Sequence, residues 1–193
     1  MTLKDMKIKT FSLIEEYYPE VTGLAEDEDV KNKINGVVNQ IQLDLMKYRK
    51  TNKTHTKEIT NETAKTIIIN SEISDIYQLN KIVLEPSVEY DMPDDNTLVL
   101  PDDYEGTLKI YYYKYPTKVE LTPESPTYDV TFTFDLDPVL LEIMPYGIAA
   151  DLLKMDMISN YGKYFYDRYL EMKNNIDSRK SAGMIYIDGG VDI

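Results

Sequence analysis

The sequence predicts an α+β protein: a bundle of about four helices interrupted by an antiparallel β insertion, with an extended C-terminal tail. Three observations predict it. Apolar residues recur at helical spacing up to residue 48 and again after residue 136. Between them the pattern changes to short β-prone runs separated by Pro, Asp and Asn. After Gly183 the chain stays apolar but loses the helical stripe. The expected division is 1–56 for the N-terminal helices, 57–135 for the β-rich insertion, 136–183 for the C-terminal helices and 184–193 for the tail.

Thr2 followed by Asp5 matches a capping box, and Leu3, Met6, Leu13, Ile14 and Tyr17 recur at helical spacing up to Pro19. The first helix is therefore expected to end near Tyr18. The cluster Glu26-Asp27-Glu28-Asp29 opens a second helix with the stripe Val30, Ile34, Val37, Val38, Ile41, Leu45 and Tyr48, closing on Lys47, Arg49 and Lys50. Acids at its start and bases at its end complement the helix macrodipole, so both clusters have a structural role.

From Thr51 the composition turns to Thr, Asn and Lys, and strands are expected over 65–70, 81–84, 88–92, 97–100, 107–115 and 128–134. In the last, Tyr128, Val130, Phe132 and Phe134 alternate with Asp129, Thr131 and Thr133. Pro93-Asp94-Asp95-Asn96 and Pro101-Asp102-Asp103 carry turn residues. Asp135 or Asp137 could cap a third helix, with Pro138 in its first turn. Leu140, Leu141, Ile143, Met144, Ile148, Ala149, Leu152, Leu153 and Met155 cover almost its whole circumference, which predicts a central, buried helix that Pro145 kinks or restarts. A fourth helix from about Asn160 places Tyr161, Phe165, Tyr169, Met172 and Ile176 on one face, with Gly183 as C-cap.

At 193 residues and 42% apolar, the chain can bury a core without staples. It has no cysteine, which removes disulfides, thiolate metal sites and cysteine nucleophiles and fits a reducing cytoplasm. Charged and apolar residues alternate over Met1 to Lys7, so no signal peptide is expected. The most apolar stretch, Val139 to Leu153, is interrupted by Glu142, Pro145 and Asp151, so no membrane partner is expected. With 34 acidic against 21 basic residues, the net charge of −13 argues against a surface that grips nucleic acid phosphates.

Residue types for bond chemistry are sparse. The single histidine, His55, stands in the polar run Thr51 to Thr56 and reads as a solvated loop residue, and one histidine cannot build a multi-histidine metal site. No serine occupies a Gly-x-Ser-x-Gly elbow. Asp91, Asp94, Asp95, Asp102, Asp103 and Glu105 depart from the spacing of a calcium loop and sit where turns need Asp. Gly189-Gly190 lacks the pattern of a phosphate cradle. No catalytic residue, metal site or cofactor is expected. A paired-carboxylate enzyme stays open only because its two acids would meet in space.

Tyrosine is abundant, with 17 copies and no tryptophan. Leu108, Ile110 and Tyr112 share one face of an expected strand, while Tyr111, Tyr113 and Tyr115 share the other, so that sheet is either covered on both sides or meets a partner. Tyrosine as ordinary filler is the competing reading. The tail poses a similar choice. Met184, Ile185, Tyr186, Ile187, Val191 and Ile193 follow the last helix and either dock on their own domain or add a strand to a neighbour's sheet edge.

Three stretches of this chain resemble the head-to-tail connector (adaptor) proteins of tailed bacteriophages. They are the helix Leu3 to Tyr18 with its successor Val30 to Tyr48; Leu98-Val99-Leu100-Pro101 with Gly106 to Pro116; and Ile143 to Leu153 leading into Tyr161 to Lys173. The resemblance implies a helical bundle with a β insertion, no enzymatic activity and a dodecameric ring of identical copies under the portal protein. The ring would join capsid to tail in the virion neck and meet a tail or tail-terminator protein below, with DNA passing through unbound. It also implies that Met184 to Ile193 docks on the portal. The acidic balance would then suit the wall of a DNA conduit. Two alternatives remain: another neck or tail-completion protein, or a carbohydrate-binding module that uses exposed tyrosines such as Tyr111 and Tyr113.

Overall fold

A computed structural model describes residues 1–20, 23–155 and 159–176. Among these the protein is mixed α+β, with six helices and two three-stranded antiparallel sheets. The chain divides into two compact units, Met1–Arg49 with Lys118–Ile193, and Lys50–Thr117.

The chain begins with α1 (Leu3–Tyr17) and α2 (Glu28–Leu45). Both start as the sequence predicts. Thr2 Oγ1 accepts the Asp5 N–H at 3.1 Å while the Asp5 carboxylate accepts the Thr2 N–H at 3.0 Å, a complete capping box. The Thr2 N–H, with the hydroxyl beside it, holds the Asp5 carboxyl below its ordinary pKa. Asp27 caps α2 by accepting the N–H groups of Asp29 and Val30.

The second unit then follows as β1 (Thr51–Ile59), β2 (Thr66–Ile68), α3 (Ile69–Glu72), β3 (Ile76–Glu85), β4 (Asp91–Asp94), β5 (Thr97–Val99) and β6 (Gly106–Lys114). The sheet orders are β1-β6-β3 and β2-β5-β4. Ile59, Ile67, Leu84, Leu98, Leu108, Ile110 and Tyr112 belong to a single apolar cluster to which strands of both sheets contribute.

The first unit resumes with α4 (Tyr128–Thr131), α5 (Pro138–Met155) and α6 (Ser159–Asn174). Asp137 caps α5 through the Val139 N–H at 2.8 Å and receives Arg49 Nη1 on both carboxylate oxygens. Leu140, Met144, Ile148 and Ala149 are fully buried, as an all-round apolar helix requires, and α5 packs against α1, α2 and α6. A Cβ at Gly147 would stand 2.9 Å from Tyr169 and 3.0 Å from Ile41, so the absence of a side chain lets α2, α5 and α6 close together. The helix continues through Pro145 without restarting.

The segment that returns to the helical unit is held by amides of α2. The Asn39 side chain donates to the Val119 carbonyl and accepts the Val119 N–H, both at 2.8 Å, and Asn35 donates to the Glu120 carbonyl at 2.8 Å.

The structure corrects five expectations, one of them the strand over 88–92, which starts only at Asp91 and runs through Pro93 to Asp94. Residues 128–134 are not a strand: Tyr128–Thr131 is a helical turn, with Thr127 O accepting the N–H groups of Val130 and Thr131. The alternation there also contains a helical i, i+4 pair, Tyr128 and Phe132, whose ring centroids lie 5.6 Å apart. Beyond it the chain extends only far enough for one bridge, Thr133 with Thr2. The expected strand 65–70 stops at Ile68, because Asn96 draws the chain into α3 by accepting the Ile69 N–H on its carbonyl and the Asn70 N–H on its side chain. The polar run with His55 is strand β1, paired along its whole length with β6. For that reason the compact β-rich unit spans 50–117 and not 57–135.

Candidate functional site

The side chains singled out in the sequence concentrate on β6. As the central strand, β6 has its backbone paired on both sides, so its function rests on its two faces. Leu108, Ile110 and Tyr112 point into the core. The Tyr112 hydroxyl donates to Asp75 at 2.9 Å, and Lys53 donates to the other carboxylate oxygen at 2.8 Å. Burial, with the Asp75 charge beside it, pushes the Tyr112 hydroxyl up. Burial also pushes Asp75 up, but the hydrogen bonds from Lys53 and Tyr112 outweigh it and leave the carboxyl below its ordinary value.

The other face carries Lys109, Tyr111 and Tyr113, continued by Tyr115. Tyr111 is 37% exposed and Tyr115 42%, and Tyr113 is half-buried. In register, Tyr111 lies opposite Thr54 of β1 and Lys81 of β3, and Tyr113 lies opposite Asn52 and Gln78. Tyr115 prolongs the pairing, donating its N–H to the Asp75 carbonyl at 2.7 Å, and meets Tyr77 edge-on at 5.1 Å. The Lys50 ammonium stands 5.1 Å from the Tyr113 ring centre and 5.5 Å from that of Tyr77, and donates to Gln78 at 2.6 Å. At the far end of the sheet Lys109 pairs with Glu85, and the Thr107 hydroxyl donates to Glu58.

Tyr111, Tyr113 and Tyr115 are therefore brought together on one accessible sheet face. Sequence parity separates them correctly from Tyr112. Tyr77 and Lys50 complete the group and are missed by sequence reasoning, because only the β3–β6 register and the start of β1 show that they belong there.

His55 also departs from expectation. It lies opposite Ile110 and is half-buried, and its Nε2 is buried without a hydrogen-bond partner. No group of three or more His, Cys, Asp or Glu side chains placed to hold a metal occurs among the described residues. The tail residues Met184, Ile185, Tyr186, Ile187, Val191 and Ile193 lie outside the described residues.

In the helical unit a second set of rings gathers around Phe165. Tyr18 and Tyr161 lie 4.0 Å apart, and Tyr17 and Tyr164 4.9 Å. A hydrogen bond with Tyr17, together with burial, pushes the Tyr164 hydroxyl up to about 12. Tyr169 donates to Asp44 at 2.7 Å, and Lys173 donates to the same oxygen at 2.7 Å while lying over the Tyr169 and Tyr48 rings. These contacts tie α6 to α1 and α2.

No protein-family model matches the chain, and no curated protein matches it either. No helix among the described residues is long and apolar enough to cross a membrane.

Proposed function

We propose that the protein is a structural subunit of a tailed-bacteriophage virion: a head-to-tail connector (adaptor) whose copies form a ring below the portal, joining capsid to tail in the neck around the DNA channel. In this reading α1, α2, α5 and α6 are the bundle and residues 50–117 its β insertion. The protein works by contact and not by catalysis.

The observation that carries the reading is the tyrosine row of β6, three rings in register on the side of a central strand that is turned out of its own core. Such amphipathic rings are suited to protein interfaces. The net charge of −13 supports it as well, since a conduit wall should offer few cations to passing phosphates. The tail, Met184 to Ile193, is the segment assigned to the portal. The carbohydrate-binding alternative is less favoured, because the rings of Tyr77 and Tyr113 already share the Lys50 ammonium.

The test is capture by the portal ring encoded in the same genome, with the tail tube protein as the competing bait. A connector binds portal, whereas a tail-completion protein prefers the tail tube. Removing the residues after Gly183 should abolish portal capture. Unchanged capture by a folded truncation would sink the assignment of the tail.

A further inference from the structure

Charge is distributed along this chain in a way that its overall balance conceals. The paired segments 50–56, 76–83 and 109–115 meet at the tyrosine end of the β1-β6-β3 sheet. They carry Lys50, Lys53, Lys81 and Lys114, with Lys109 toward the far end already engaged by Glu85, and no carboxylate, in a chain that holds 34 acidic residues. Asp75, next to them, is already engaged by Lys53 and Tyr112.

Residues 15–29 are the converse, with seven carboxylates and no lysine or arginine across the end of α1 and the start of α2. Local structure accounts for several of them: Asp27 caps α2, Glu28 and Asp29 pair with Lys31 and Lys33, and Glu20 takes the Tyr161 hydroxyl. It does not account for Glu15 and Glu16. Both are exposed in the last turn of α1, where the negative end of the macrodipole disfavours carboxylates and the turn itself holds no basic residue. Beside them Tyr17 is 45% exposed.

We infer that the cationic, tyrosine-bearing end of the sheet in one copy docks on the acidic end of α1 and α2 in the next copy. The two surfaces differ in charge and come from different units of the chain, so the contact is head-to-tail and can repeat from copy to copy. It buries the rings of Tyr111, Tyr113 and Tyr115 and brings Lys50 and Lys81, which share their face, to Glu15 and Glu16, whose turn of α1 holds no basic residue. A second copy is favoured over nucleic acid because the complementary anionic surface is carried by the chain itself, whose net charge of −13 repels phosphates. The inference deepens the connector reading and rests on it for the demand that copies associate.

The test uses the full chain and two charge reversals, K50E with K81E and E15K with E16K, with folding verified by circular dichroism. Sedimentation is measured at low and high salt, alone and with the portal ring. Wild type should self-associate and weaken as salt rises, and each variant alone should associate at least about tenfold more weakly. An equimolar mixture of the two variants should recover association, because each supplies the surface that the other has lost. The inference is overturned if the variants associate like wild type, if the mixture of folded variants fails to recover, or if wild type is monomeric under both conditions. Binding of short duplex DNA that disappears in K50E with K81E would overturn it in favour of a nucleic-acid surface. Self-association without portal capture would instead sink the connector reading and leave this contact standing.

Discussion

Replacing Asn39 with alanine tests whether a single amide of α2 holds the returning chain. The Asn39 side chain satisfies both backbone groups of Val119 at 2.8 Å and also accepts from Gln42 at 2.9 Å. Val119 is only 2% exposed, so water cannot readily replace the lost partners. Each buried polar group left unpaired costs about 1–3 kcal/mol. Alanine gains about 0.5 kcal/mol in helix propensity over asparagine. The Asn35 bond to Glu120 survives and limits the damage. The expected net loss is about 2–3 kcal/mol. Asn39→Asp should not rescue, since it keeps an acceptor for the Val119 N–H but turns a second acceptor toward the Val119 carbonyl. Urea denaturation followed at the helical circular dichroism band measures the loss, and hydrogen exchange at the Val119 amide reports it locally. A loss below about 0.5 kcal/mol, with that amide still protected, would refute the reasoning.

Gly147→Ala should destabilise by about 1 kcal/mol, because overpacking against Tyr169 and Ile41 costs more than the helix propensity that alanine adds, and a raised melting temperature would contradict this. Tyr112→Phe should cost about 1 kcal/mol and raise the pH at which Asp75 titrates, readable by carboxyl NMR, with an unmoved titration counting against the hydrogen bond. Asp5, Asp75 and Asp94 all have folded pKa values below their ordinary ones: Asp5 through the Thr2 N–H, Asp94 through the Asn96 N–H, and Asp75 through Lys53 and Tyr112 against the opposing effect of burial. Their stabilisation is present above about pH 4 and is lost as pH falls through the depressed values, so the melting temperature should drop on acidification. The Tyr164 hydroxyl is displaced the other way, so its contribution persists below about pH 10 and fades as pH rises toward about 12, visible as late ionisation in an ultraviolet titration.

The four long helices, α1, α2, α5 and α6, are legible in the sequence because their signals are local. Thr2 with Asp5, Asp27 before Val30, and Asp137 before Pro138 each specify a start within a few residues, and the apolar circumference of α5 announces a buried helix. Strand β6 is legible for a similar reason, since parity alone separates Tyr112 from Tyr111 and Tyr113. What escapes depends on partners distant in the chain. The β1 run is threonine-rich and hence β-prone, yet only its pairing with β6 makes it a strand and half-buries His55. Residues 128–134 satisfy period 2 and an i, i+4 pair at once, and the hydrogen bonds to Thr127 decide between them. Lys50 and Tyr77 join the tyrosine row through sheet register, and Asn35 and Asn39 look like ordinary solvent-facing amides until the return of the chain at Val119 is known.

The central claim is that this protein works as an assembled part between portal and tail. Capture of the full-length chain on its purified portal ring, with subunit stoichiometry counted by native mass spectrometry, tests it most directly. The account predicts a ring of twelve copies on the portal, lost when the tail after Gly183 is removed. A chain that ignores the portal and stays monomeric would contradict it.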